Sequence, residues 1–163
     1  MDKNYGGRLF MSKELLLFEL EKTRGWTLDL FEGMKEEDMH IIPEGFPNSI
    51  HWQLGHIAGM MEMVTAALTD KNTDTSKRYQ KYFGFGTSPD DFDGETPATD
   101  EIEALLKGQP ERLEDLDEAV LDDDLPREFM GMTTRREQFA FMILHEAMHV
   151  GKVQEMKRVL ENQ

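Results

Sequence analysis

The chain of 163 residues contains no cysteine. Disulfides, thiolate metal sites and a cysteine nucleophile are therefore excluded. It also lacks long apolar runs, and no window approaches the roughly 18–20 apolar residues that a membrane span needs. Basic residues are scarce, 18 against 33 acidic, for a formal net charge of −15. No basic run exceeds a pair such as Arg135-Arg136 or Lys157-Arg158. Such a surface repels phosphate backbones, so nucleic acid is not an expected partner. The opening stretch MDKNYGGRLF is polar and has no signal-peptide core. A cytoplasmic protein with no membrane association is expected.

Twelve methionines are many for this length and suit an adaptable core or a Met-lined pocket. The length fits one domain spanning 1–163, with no internal repeat and no linker. Helical periodicity dominates. A first helix is expected from an N-cap at Ser12 to about Met34, with Leu16, Leu20, Thr23, Leu30 and Phe31 as an apolar face. A second runs from Asn48 or Ser49 to about Leu68, where Ile50, Leu54, Ile57, Met61, Val64 and Leu68 form one stripe. A long connection rich in Gly, Asp, Thr and Pro follows. Its Tyr79, Tyr82, Phe83, Phe85 and Phe92 are expected to pin it to the bundle or to cap a pocket.

A third helix, kinked at Gly108 and Pro110, is expected from Thr99 to Ala119. Residues 122–132 read as a turn with at most a short extended piece. The last helix opens on the T-x-x-E capping box Thr134–Glu137 and continues to about Leu160. The expected fold is an all-α four-helix bundle with a long crossover between helices two and three.

The last helix carries His145-Glu146-Ala147-Met148-His149, which fits H-E-x-x-H. On a helix that pattern sets two imidazoles one turn apart, and in zinc peptidases the Glu is the general base. Gln138, Met142, His145, His149, Met156 and Leu160 follow helical steps. This puts both histidines on the inward stripe, with Glu146 about 100° around the helix. Buried imidazoles need partners, and a divalent metal accepts neutral imidazole nitrogen. No histidine follows His149, and the longer H-E-x-x-H-x-x-G-x-x-H signature fails, so a third ligand must come from upstream. His40 sits in a turn, and His51 falls on the outer face of the second helix. His56 flanks the apolar seam beside Ile57 and is the better candidate. Three histidines that converge in one bundle favour a metal site over ordinary core packing.

The stretches S-I-H-W-Q-L-G-H-I-A and H-E-A-M-H-V-G-K-V, with the T-T-R-R-E entry to the last helix, resemble the DinB-like, damage-inducible proteins. The likeness covers nearly the whole chain. It implies a four-helix bundle holding one divalent ion, zinc or nickel before others, on His56, His145 and His149. It also implies a homodimer and a reaction that uses a small thiol such as bacillithiol, mycothiol or glutathione. One departure stands out: the family often reads H-x-G-Q where this chain has His149-Val150-Gly151-Lys152. Three functions are compatible with this pattern. They are a metal-dependent thiol transferase, a metal-dependent hydrolase, and a non-catalytic metal- or ligand-binding module.

Overall fold

The computed structural model describes residues 11–69 and 74–162. Its elements are α1 (Lys13–Asp29), α2 (Glu36–Met39), α3 (Ile50–Thr69), α4 (Asp74–Phe83), α5 (Thr99–Glu114), β1 (Asp124–Phe129), β2 (Met132–Thr134) and α6 (Arg135–Glu161). The four longest helices form the bundle. Both α3 and α1 pack against α5 and α6, so α1 and α3 occupy opposite corners. The expected all-α bundle with a crossover between its second and third long helices is what forms.

The caps lie where the sequence puts them. Ser12 accepts from the Leu15 amide, and the Ser49 hydroxyl accepts from the Trp52 amide at 3.2 Å. Thr134 and Glu137 close a reciprocal capping box on α6. Four expectations change. α1 stops at Asp29 rather than Met34, and α5 at Glu114 rather than Ala119. The crossover is not loop throughout, because α4 occupies ten of its residues. Tyr79, Tyr82 and Phe83 of α4 are buried as the pinning idea requires, whereas Phe85 is fully exposed. Residues 124–134 form an antiparallel hairpin, with Phe129 opposite Met132. Its turn residues Met130 and Gly131 both have positive φ, 52° and 84°. That is the backbone of a tight hairpin turn, usually marked by Asn-Gly rather than Met-Gly.

α3 is the central element, buried over most of its circumference. It is covered on one side by α4, because Gly55 and Gly59 leave no side chain in the way. A Cβ on Gly55 would stand 2.5 Å from the Phe83 ring, and one on Gly59 would stand 2.9 Å from Tyr79 Cβ. On another side Arg112 grips the buried Glu62 with two 3.0 Å bonds. Gln109 donates to the Ala58 carbonyl at 2.9 Å.

α1 is tied in by one guanidinium. Arg24 Nε and Nη2 donate to Glu146 Oε1 and Oε2 of α6 at 2.8 and 3.0 Å. Arg24 Nη1 donates to the Leu106 carbonyl of α5. α5 continues through Pro110, and a proline has no N–H for the carbonyl four residues back. That carbonyl belongs to Leu106, so Arg24 supplies the donor that Pro110 withholds. Thr27 Oγ1 completes the shell of Glu146 at 2.6 Å. Removing one member of a buried ion pair leaves an uncompensated charge and costs about 3–5 kcal/mol. Arg24→Ala is therefore expected to lower unfolding stability by about that amount, read from urea denaturation.

Candidate metal centre

Among the described residues, two hydrophobic clusters divide the interior. One is built around Leu54, Ile57, Phe83 and Val150, the other around Leu20, Met61, Phe139 and Met142. Between them, where α3 faces α6, the structure brings together His56, His145 and His149. Nε2 of His145 lies 3.3 Å from Nε2 of His56 and 3.2 Å from Nε2 of His149. Nitrogens sharing one tetrahedral zinc at bond lengths of about 2.0–2.1 Å stand about 3.3–3.4 Å apart. The observed spacings match that edge.

The opposite ring nitrogens are held by protein groups. His56 Nδ1 lies 2.6 Å from the Phe83 carbonyl oxygen. His149 Nδ1 lies 2.6 Å from Gln53 Oε1. Both partners are acceptors, so both Nδ1 atoms carry the proton and both Nε2 atoms present a lone pair to the centre. This outer hydrogen bonding fixes tautomer and ring orientation, as metal-ligating histidines require. Trp52 stacks on the His56 ring at 4.8 Å and 11°. Its own indole N–H is anchored on Thr87 Oγ1 at 3.0 Å.

The electrostatics also suit a cation-binding cluster. Burial, then the neighbouring His56, pushes His145 down to about 4. Burial, the other two histidines and Lys152 push His149 down to about 3. His56 is lowered by burial and by Lys152, against the opposing pull of the Phe83 carbonyl. All three are neutral at pH 7, the form in which imidazole binds metals.

Glu146 does not join them. It lies at the middle of the buried face of α6, bound to Arg24 and Thr27, in line with the angular separation expected from the sequence. The inward stripe is nonetheless shifted from the expected one. Phe139, Met142, Ile143, Glu146, Val150, Val153 and Met156 are buried, while Gln138 is only partly so and the two histidines flank the stripe half-buried. A carboxylate paired with arginine can sit where a heptad argument expects an apolar residue.

His51 is a second correction. It is buried rather than outward-facing, because α3 is covered on the side that a simple bundle leaves open. It packs on His40, Phe83 and Phe92. His40 is, as expected, in a turn at the end of α2. Gln53 is not among the residues that the sequence singles out, and Phe83 stands out there only as an aromatic that pins the crossover or caps a pocket, not for its carbonyl. Gln53 stands one turn before His56 and was legible as its neighbour. A backbone carbonyl such as that of Phe83 leaves no sequence signal.

The architecture defines a class: a helical bundle that gathers three imidazoles between two of its helices. The chain belongs to the DinB superfamily, whose family model matches residues 19–153. That match contains all three histidines. A solved structure described as the conserved protein of locus from Enterococcus faecalis is similar, with a TM-score of 0.72 and 14% identity. The alignment covers 94% of this chain and 100% of that one. At that identity the likeness shows the fold alone. No curated protein sequence matches the chain. Among the described residues, no helix is long and apolar enough to cross a membrane. Family and histidine cluster together support metal binding.

A pH dependence follows for chelator-treated protein. The folded state holds His145 and His149 well below the unfolded value of about 6.5, so below that pH the unfolded chain binds more protons than the folded one. Stability is full above about pH 6.5 and falls as the pH drops toward the folded values. The urea midpoint is expected to fall between pH 7.5 and pH 5, and to fall less in His149→Ala.

Proposed function

We propose that the chain holds one divalent transition-metal ion, zinc or nickel, on His56, His145 and His149, and transfers a small thiol cosubstrate to an electrophile. The supporting observation is the set of three converging Nε2 atoms, two of them with their opposite nitrogens fixed. Imidazole donors suit zinc and nickel. Bound there, such an ion supplies a positive charge that lowers the pKa of a thiol and fixes its sulfur.

The chain's own groups account for the rest. Gln53 and the Phe83 carbonyl hold His149 and His56 in orientation. Lys152, close enough to disfavour protonation of both, offers a cation to an anionic part of the cosubstrate. Phe141 lies 6.3 Å from the His145 ring and lines a mostly apolar recess of about 230 Å³ with Met11, Met132, Ala140, Leu144 and the stems of Arg136 and Glu137. An apolar electrophile fits there. Because the chain has no cysteine, the sulfur comes from the cosubstrate. A sulfur–carbon bond forms as the leaving-group bond breaks, and the thiol proton passes to solvent. A general-base role for Glu146 finds no support, since its carboxylate is occupied by Arg24 and Thr27.

Low-molecular-weight thiols are cytosolic reagents, and a cytoplasmic location belongs to the same reading. So does a homodimer. Leu15, Phe18 and Trp26 are exposed on α1, and Leu144 and Met148 on α6, the helix packed beside it. Light scattering is expected to show a dimer that Phe18→Glu with Trp26→Glu converts to monomer.

The principal test is metal content of tag-free protein by plasma mass spectrometry. About one ion per chain at this centre is expected, lost in His145→Ala with His149→Ala. Loaded protein is then assayed with bacillithiol, mycothiol and glutathione against standard alkylating electrophiles. Conjugation that is lost in the double variant supports the transferase. Full metal loading with no conjugation leaves a non-catalytic metal-binding module.

A further inference from the structure

A second cluster of ligating side chains stands outside this centre. Glu36 and His40 of the α2 turn and His51 of α3 each offer one donor atom, and the three atoms lie within 4.8 Å of one another. His40 Nε2 is 3.1 Å from Glu36 Oε1. The Thr99 hydroxyl donates to Glu36 Oε1 at 2.7 Å and lies 3.0 Å from His51 Nδ1. The His40 and His51 rings face each other at 4.5 Å and 31°. From these contacts we infer that Glu36, His40 and His51 form a second divalent-metal site of zinc class, separate from the three-histidine centre.

The ligand set is two imidazoles and a carboxylate, a recognised zinc combination that leaves a coordination position for water. The parts divide the work. His51 is buried and fixed, its ring held by Thr99 and packed by Phe83 and Phe92. Glu36 and His40 are exposed and lie four residues apart on one turn, so both can close on an ion that arrives from solvent. The donors already lie within 4.8 Å of one another, so closing on a tetrahedral ion, whose donors stand about 3.3–3.4 Å apart, asks for a movement of about 1.5 Å or less, which the two exposed side chains can supply. Burial, then the nearby His40, holds His51 down to about 4. Burial tends to raise Glu36, but bonds from Thr99 and His40 outweigh it and hold the carboxyl below its ordinary value. The His51 imidazole is thus neutral and the Glu36 carboxylate charged at pH 7.

Without an ion, a buried histidine, an exposed histidine, a carboxylate and a hydroxyl are simply knotted together. With one, α2 is stapled to the start of α3. The staple also touches the first centre through a single residue. The Phe83 ring packs 5.7 Å from His51, while the Phe83 carbonyl holds His56.

Stoichiometry separates this site from the first. Chelator-treated, tag-free chain is titrated with zinc and bound ion is counted by equilibrium dialysis, beside His40→Ala, His145→Ala/His149→Ala, and the triple variant. His40 is exposed, so its loss leaves the fold intact. The expected counts are two ions for wild type, one for each of the first two variants, and none for the triple. The weaker of the two wild-type affinities is expected to drop at least tenfold in His40→Ala. Zinc is also expected to raise the melting temperature of the His145→Ala/His149→Ala protein, and not that of the triple variant. Wild-type saturation at one ion that survives His40→Ala overturns the second site. So does retention of two ions in His40→Ala. One wild-type ion lost in His40→Ala and kept in His145→Ala/His149→Ala upholds this site and refutes the first.

Discussion

One guanidinium organises the bundle. Arg24 reaches from α1 to a carboxylate on α6 and to a carbonyl on α5. Each contact repairs a defect that sequence alone creates. Glu146 is a buried negative charge in the middle of a helix face, and Leu106 has a carbonyl that Pro110 cannot serve. A charge so placed is tolerable only with its partner and its remaining hydrogen bonds in place, and Thr27 contributes the last of these. With Glu146 committed to Arg24, α6 is fixed in rotation, and that rotation delivers His145 and His149 to the side facing α3.

The other half of the centre depends on backbone approach. Gly55 and Gly59 give α3 a bare strip on which Phe83 and Tyr79 lie. Phe83 is the last residue of α4, and its carbonyl reaches His56 because the helix can come that close. A centre assembled from α3 and α6 is therefore oriented by α4, an element outside the four-helix scheme. The glycine of G-H-I-A and the histidine beside it serve one purpose: the first admits the group that aligns the second.

Much of this was legible in the sequence. The stripe from Ile50 to Leu68 marked α3, Ser12, Ser49 and Thr134 marked the helix starts, and His56, His145 and His149 were the three histidines that could converge. The errors share a cause. A heptad argument gives every helix one buried face and so puts His51 outside, yet α3 is buried nearly all round. On α6 the same argument assigned the inward stripe to Gln138 and the histidines, because it does not expect a glutamate at its centre. Helix α4 leaves a weak sequence signal, because K-R-Y-Q-K-Y-F carries many charged and polar residues and borders a stretch rich in breakers. The short extended piece expected at 122–132 does not announce a hairpin, because Met130 takes a conformation that usually belongs to Asn, Asp or Gly.

The stacking of Trp52 on His56 has an optical consequence. The chain has two tryptophans. Trp52 is buried against the centre, and Trp26 is more than half exposed on α1. Their emissions separate by environment, the buried indole toward the blue and the exposed one toward the red. A paramagnetic or redox-active ion beside the His56 ring quenches the blue component and spares the red. The protein thus carries a built-in reporter for the occupancy of that centre, with an internal reference on the same chain.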